Sequence, residues 1–122
     1  LLLQKECEYL FVEGAGGYKV PLGNDNSIED LISYLSIPII LVVGIRLGCI
    51  NHAMLTFESI KNHHHKLYGW IANCIDPNMK QVDENIKYLV ENIDAPFMGK
   101  VPFQKEVNTF NLSNYLLWPG KL

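Results

Sequence analysis

The 122-residue chain is 48% hydrophobic and 19% charged, an ordinary globular composition at a length that suits one small core rather than two. Its formal charge is −3 and its ten Lys and Arg are scattered, so no basic stripe invites nucleic acid. The longest apolar run, residues 37–45, contains Pro38 and is closed by Arg46, well short of the roughly twenty apolar residues a membrane helix needs.

The opening LLLQKECEYL carries Lys5, Glu6 and Glu8 where a signal peptide would continue its apolar run, which points to a soluble, cytoplasmic protein. A first strand is predicted over residues 8–14 (EYLFVEG). A helix follows, with Ser27 as N-cap, Asp30 three residues on, and Ile28, Leu31, Ile32 and Leu35 on one face. The run IPIILVVG (37–44) is almost continuously apolar and β-branched, as expected of a strand buried on both faces of a parallel sheet. A second helix is predicted from about Cys49 to Lys61, with Ile50, Ala53, Met54, Phe57 and Ile60 on one stripe and Leu55 off it. His63, His64 and His65 come next. Adjacent side chains on a helix point apart, so the three read as a polar connection in preference to a metal site. A third strand is KLYGWIANCI (66–75), and Asp76-Pro77-Asn78 turns the chain into a helix from about Met79 to Ile93. Val82, Ile86, Leu89, Val90 and Ile93 are expected to face inward on that helix, and APFMGKVPF (95–103) is the last strand. In the tail, Tyr115, Leu116, Leu117 and Trp118 suit a short helix ended by Pro119-Gly120.

Strands alternating with helices imply βαβ units with right-handed crossovers, so residues 1–122 are expected to form a single α/β domain segment with an open, mainly parallel sheet and flanking helices. Such a sheet, starting directly on a strand, leaves edges and faces for other elements to cover, and the chain reads as the second half of something larger. The cysteines, Cys7, Cys49 and Cys74, are far apart and form no CxxC pair, which excludes a zinc knuckle and fits reduced thiols in the cytoplasm.

Two stretches carry chemistry. Glu13-Gly14-Ala15-Gly16-Gly17 ends the predicted first strand, at the edge of an α/β sheet where ligands bind. A carboxylate there suits Mg²⁺, and the glycines let backbone N–H groups approach oxygen anions. The plainer alternative is a strand-to-loop turn with a solvated Glu13. The second stretch, Leu47-Gly48-Cys49-Ile50-Asn51-His52-Ala53, opens the second helix, whose N-terminus suits a carboxylate or phosphate.

Together, VEGAGG, PIILVVGIRLGCINHAMLT and GWIAN closely resemble the dethiobiotin synthetases over about residues 9–106. The resemblance implies a P-loop NTPase-like fold and an ATP-dependent ligase of biotin biosynthesis. Such enzymes carboxylate 7,8-diaminopelargonic acid with CO₂, phosphorylate the carbamate with MgATP and close the ring to dethiobiotin. It implies Glu13 as a Mg²⁺ ligand, with Gly14, Ala15 and Gly16 lining the ATP and carbamate site. Asn73 would meet the adenine edge with Cys74 beside it, Val101, Pro102 and Phe103 would wall the base, and Glu106 would be a further nucleotide contact. Gly48, Cys49, Ile50 and Asn51 would take the far carboxylate of the substrate across the interface of a homodimer. The departures are as informative. No GxxxxGK occurs in the 122 residues, so the phosphate-binding loop and the catalytic lysine are missing, and Asn85 stands where some members carry a substrate-contacting tyrosine. These departures imply a chain that is inactive alone, or a non-catalytic split or decayed half that only dimerises.

Overall fold

The computed structural model describes residues 7–106 and 112–120, and the chain divides between Ser36 and Ile37 into two compact units. In the first unit a two-stranded antiparallel hairpin, β1 (Pro21–Gly23) and β2 (Asn26–Ser27), leads into helix α1 (Ile28–Leu35). Asn24 and Asp25 both take positive φ, 49° and 61°, the twist that a two-residue hairpin loop requires. The helix starts where the sequence places it. Ser27 accepts from the Asp30 N–H, and the Asp30 carboxylate accepts in return from Ser27, a complete capping box. Glu29 on α1 is buried and paired with Lys19. Burial, and next the charge of Glu29, push the Tyr18 hydroxyl up to about 12.

The second unit holds the parallel sheet, β3 (Ile39–Ile45), β4 (Leu67–Cys74) and β5 (Phe97–Val101), in the order β3-β4-β5. Helix α2 (Cys49–Asn62) links the first two strands, and helix α3 (Val82–Asn92) links the second and third. Val43 and Ile45 of β3, with Trp70, Ala72 and Cys74 of β4, share one core with Cys49, Ala53 and Phe57 of α2 and Ile86 and Leu89 of α3. Trp70 sits at its centre, fully buried, its ring 4.6 Å from that of Phe97. The predicted stripe of α2 is the one buried, and Leu55 lies off it, 57% exposed.

The fold class stands, and five details change. Residues 8–14 form no strand. An extended run without a ladder is not a strand, and no ladder forms there among the described residues. β3 is buried on one face only, with Val42 57% exposed on the other. α3 begins at Val82 rather than Met79, because Asp76 holds the Asn78 N–H in a turn and Gln81 takes positive φ. Val90 falls outside the α3 stripe, and the tail makes a 3-10 helix at Ser113–Tyr115, ending before Trp118.

Candidate nucleotide and substrate site

In the second unit the register sets Gly44 beside Asn73 and Asn73 beside Val101, one row across the carboxyl ends of three parallel strands. Alternation turns this row away from the helices, whereas Ala72 and Lys100, one step earlier, form the row on the helix side. Lys100 donates to Asp83 at the start of α3 at 2.7 Å, tying β5 to that helix. Asn73 is half-buried, and its side-chain amide meets no partner among the described residues. One donor and one acceptor side by side suit the edge of a purine. Val101 and Pro102 beside it are half-buried, Phe103 is 41% exposed, and Glu106 is exposed. Cys74 behaves differently: it is buried on the helix side, and desolvation pushes its thiol up. It packs the floor beneath Asn73.

The start of α2 is a second feature of this unit. Gly48 is its N-cap at φ 86°, a conformation that favours glycine. The Cys49 N–H is already taken by the Arg46 carbonyl at 3.0 Å, whereas those of Ile50 and Asn51 meet no acceptor among the described residues. The Cys49 side chain belongs to the core, its Sγ 3.9 Å from Asn85 Oδ1, so it offers a ligand backbone only. Asn85 in turn donates to the Gln81 carbonyl at 2.7 Å, so this residue ties α3 to the start of α2.

In the first unit Glu13 is exposed and engaged by no hydrogen bond or ion pair among the described residues. No three His, Cys, Asp or Glu cluster there or elsewhere among the described residues. One free carboxylate fits Mg²⁺, which is held by one or two carboxylates together with phosphate oxygens. Gly16 and Gly17 take positive φ, 87° and 119°. Ala15 is exposed, and a Cβ on Gly14 would meet Ile28 at 3.3 Å, so Gly14 also serves the packing of α1.

The sequence pattern missed the β1–β2 hairpin, for which Gly23-Asn24-Asp25 was the available signal. It also missed Lys100 and Asp83, which only the register brings together. Of the three histidines, His63 takes the Ser59 carbonyl at 2.7 Å and closes α2.

The parallel sheet with its flanking helices makes this an α/β protein, and the family match that follows gives it the P-loop NTPase-like fold. The AAA domain family matches residues 1–110, and the chain belongs to that family. The chain is similar to the ATP-dependent dethiobiotin synthetase BioD of Tolumonas auensis, 43% identical over 90% of this chain and 48% of the relative. It is likewise similar to that of Wigglesworthia glossinidia brevipalpis, 45% identical over 93% and 51%, and that of Aromatoleum aromaticum, 46% over 97% and 52%. The chain spans about half the length of the curated relatives it matches. No helix among the described residues is long and apolar enough to cross a membrane.

Proposed function

We propose that this chain supplies the C-terminal half of a dethiobiotin synthetase, which carboxylates 7,8-diaminopelargonic acid with CO₂ and closes the ring at the expense of MgATP. The observation that carries the proposal is the unpartnered Asn73 amide at the carboxyl end of β4, in register with Val101. Asn73 reads the adenine edge, Val101, Pro102 and Phe103 wall the base, and Glu106 adds a nucleotide contact. Glu13 is the carboxylate for Mg²⁺, and Gly14, Ala15 and Gly16 bring the backbone close to the phosphate and carbamate oxygens. MgATP supplies the phosphoryl group that makes a carbamate oxygen a leaving group. The N–H groups of Ile50 and Asn51, at the positive end of α2 opened by Gly48, take the distant carboxylate of the substrate.

The test supplies the remaining part of the reaction from outside. Co-produced with the N-terminal half of the Tolumonas auensis relative, the chain should form dethiobiotin, whereas alone it should turn over neither ATP nor diaminopelargonate. Asn73→Ala should raise the KM for ATP in the completed enzyme. Glu13→Gln should lower kcat strongly and raise the Mg²⁺ requirement. Turnover by the chain alone, or an ordinary Mg²⁺ requirement in Glu13→Gln, would overturn the assignment.

Leu55, 57% exposed on α2, and Leu47, 95% exposed just before it, favour a homodimer in which α2 meets a partner. Mixing completed Glu13→Gln enzyme with enzyme carrying Gly48→Phe, each inactive alone, should restore about a quarter of the activity if hybrids form at random. No recovery after confirmed subunit exchange would exclude a shared site.

A further inference from the structure

β5 is an edge of the three-stranded sheet, and an edge strand leaves a row of backbone groups without ladder partners. The ladder between β4 and β5 shifts register after Trp70 and Phe97, so Met98 falls in a bulge. The Met98 carbonyl accepts instead from the Leu117 N–H at 2.6 Å. Around that bond the tail lies along the strand. Tyr68 of β4 donates through its hydroxyl to the Gly120 carbonyl at 2.5 Å, and its ring lies 5.3 Å from that of Trp118. The fit is tightest at Gly99. At φ 140°, a Cβ there would collide with the Tyr115 carbonyl oxygen. No L side chain fits at 99 while the tail is seated.

In this segment Leu117 is 76% exposed and Trp118 is 42% exposed, so burial contributes modestly and the polar contacts weigh more. Its anchor is two residues upstream of Val101, where the base wall begins and where Asn73 is in register. We infer that Gly99 and Tyr68 are positioning residues for nucleotide binding. They seat residues 113–120 on the outer side of β5, so that the strand is held on both sides where it delivers Val101, Pro102 and Phe103. Without the tail, β5 loses the contacts on its outer side and keeps β4 and the Lys100–Asp83 pair. The base wall then samples more positions, and binding must first order it. This inference rests on the base-site reading of Asn73 and Val101.

The experiment uses the whole 122-residue chain with adenosine as probe, followed by amide NMR. Two variants separate the possibilities. Gly99→Val fills the space of the Tyr115 carbonyl. Tyr68→Phe removes only the hydroxyl and leaves the β5 backbone as it is. In the wild-type chain adenosine should shift the Asn73, Val101 and Phe103 signals. Both variants should speed exchange of the Leu117 amide. They should weaken adenosine by about fivefold or more in Gly99→Val and less in Tyr68→Phe, with the unfolding midpoint of Tyr68→Phe nearly unchanged. Faster Leu117 exchange with wild-type adenosine affinity would overturn the inference and leave the base site standing. Unchanged Leu117 exchange in both variants would overturn the seating itself. Absence of any adenosine-dependent shift in the wild-type chain would remove the base-site reading, and this inference with it.

Discussion

Residues 9–12 (YLFV) and residues 40–43 (ILVV) are apolar runs of strand-forming side chains, and only the second is a strand. Phe11 is 69% exposed and Val12 47%, whereas Val43 is 5% exposed in a core that includes Trp70 and Phe57. Composition does not separate them. Ile40 to Val43 pair residue by residue with Gly69 to Ala72, so their backbone groups are satisfied and one face is covered. Residues 9–12 form no ladder among the described residues, and Phe11 and Val12 keep much of their surface exposed. A strand is therefore a property of its neighbours, and propensity only states that a segment fits one if a neighbour is offered.

The comparison breaks most easily at the centre of the paired region. Trp70→Ala removes the largest fully buried side chain, from the middle strand of three, and should cost about 3–5 kcal/mol in urea unfolding of residues 37–120. A loss under about 1 kcal/mol would mean that the sheet is not what holds this unit together. An intermediate effect is expected at the start of α1, the best-anchored element of the other unit. Ser27→Ala should cost about 1 kcal/mol of helix stability, read by the exchange rates of the α1 amides. The Asp30 carboxyl is held below its usual value, first by the Ser27 side chain and then by its backbone. A depressed carboxylate contributes stability that is present above the usual carboxylate range and is lost as pH falls through the folded value. Wild-type and Ser27→Ala chains should thus differ most at neutral pH and less in acid, where the Asp30 N–H to Ser27 bond remains. The smallest effect is expected at Val12→Ser, 47% exposed, within about 0.5 kcal/mol in this chain. In the enzyme completed by a relative's N-terminal half the same change should cost more, if that half brings a neighbouring strand. Equal, small effects in both settings would mean that residues 8–14 are a loop by design.

The sequence pattern shows most plainly where local and tertiary signals agree. The capping box of α1, the buried stripe of α2 and all three strands of the parallel sheet lie within a few residues of their expected bounds. The misses have physical causes. The β3 run is apolar enough for burial on two sides, yet periodicity carries no information about whether a second layer is present, and Val42 is left open. Val90 differs from Leu89 by one step around the α3 helix, which is enough to carry it off the stripe. The candidate site was legible as a set of residues and not as an arrangement. GWIAN marks Asn73, but its adjacency to Val101 follows from a register shift at Met98 that no residue type announces. Gly99 has the same origin: a glycine in a strand signals a bulge or a close approach, and only the structure shows that Tyr115 is what approaches.

The parallel arrangement also sets a timetable. Ile39 pairs with Leu67, 28 residues later, and Trp70 pairs with Phe97 after a similar interval. At ~5–20 residues per second of synthesis, β3 therefore waits roughly 1.5–6 s before any of its partner has been made. During that interval the edge of β3 that β4 will cover is open to other chains, and the same interval recurs for β4. A hairpin such as β1–β2, whose strands are two residues apart, closes within microseconds of being made. The nascent chain thus spends those seconds with a very apolar strand still lacking its β4 partner, and shielding that edge until Leu67 emerges is the step at which a chaperone would have most to do.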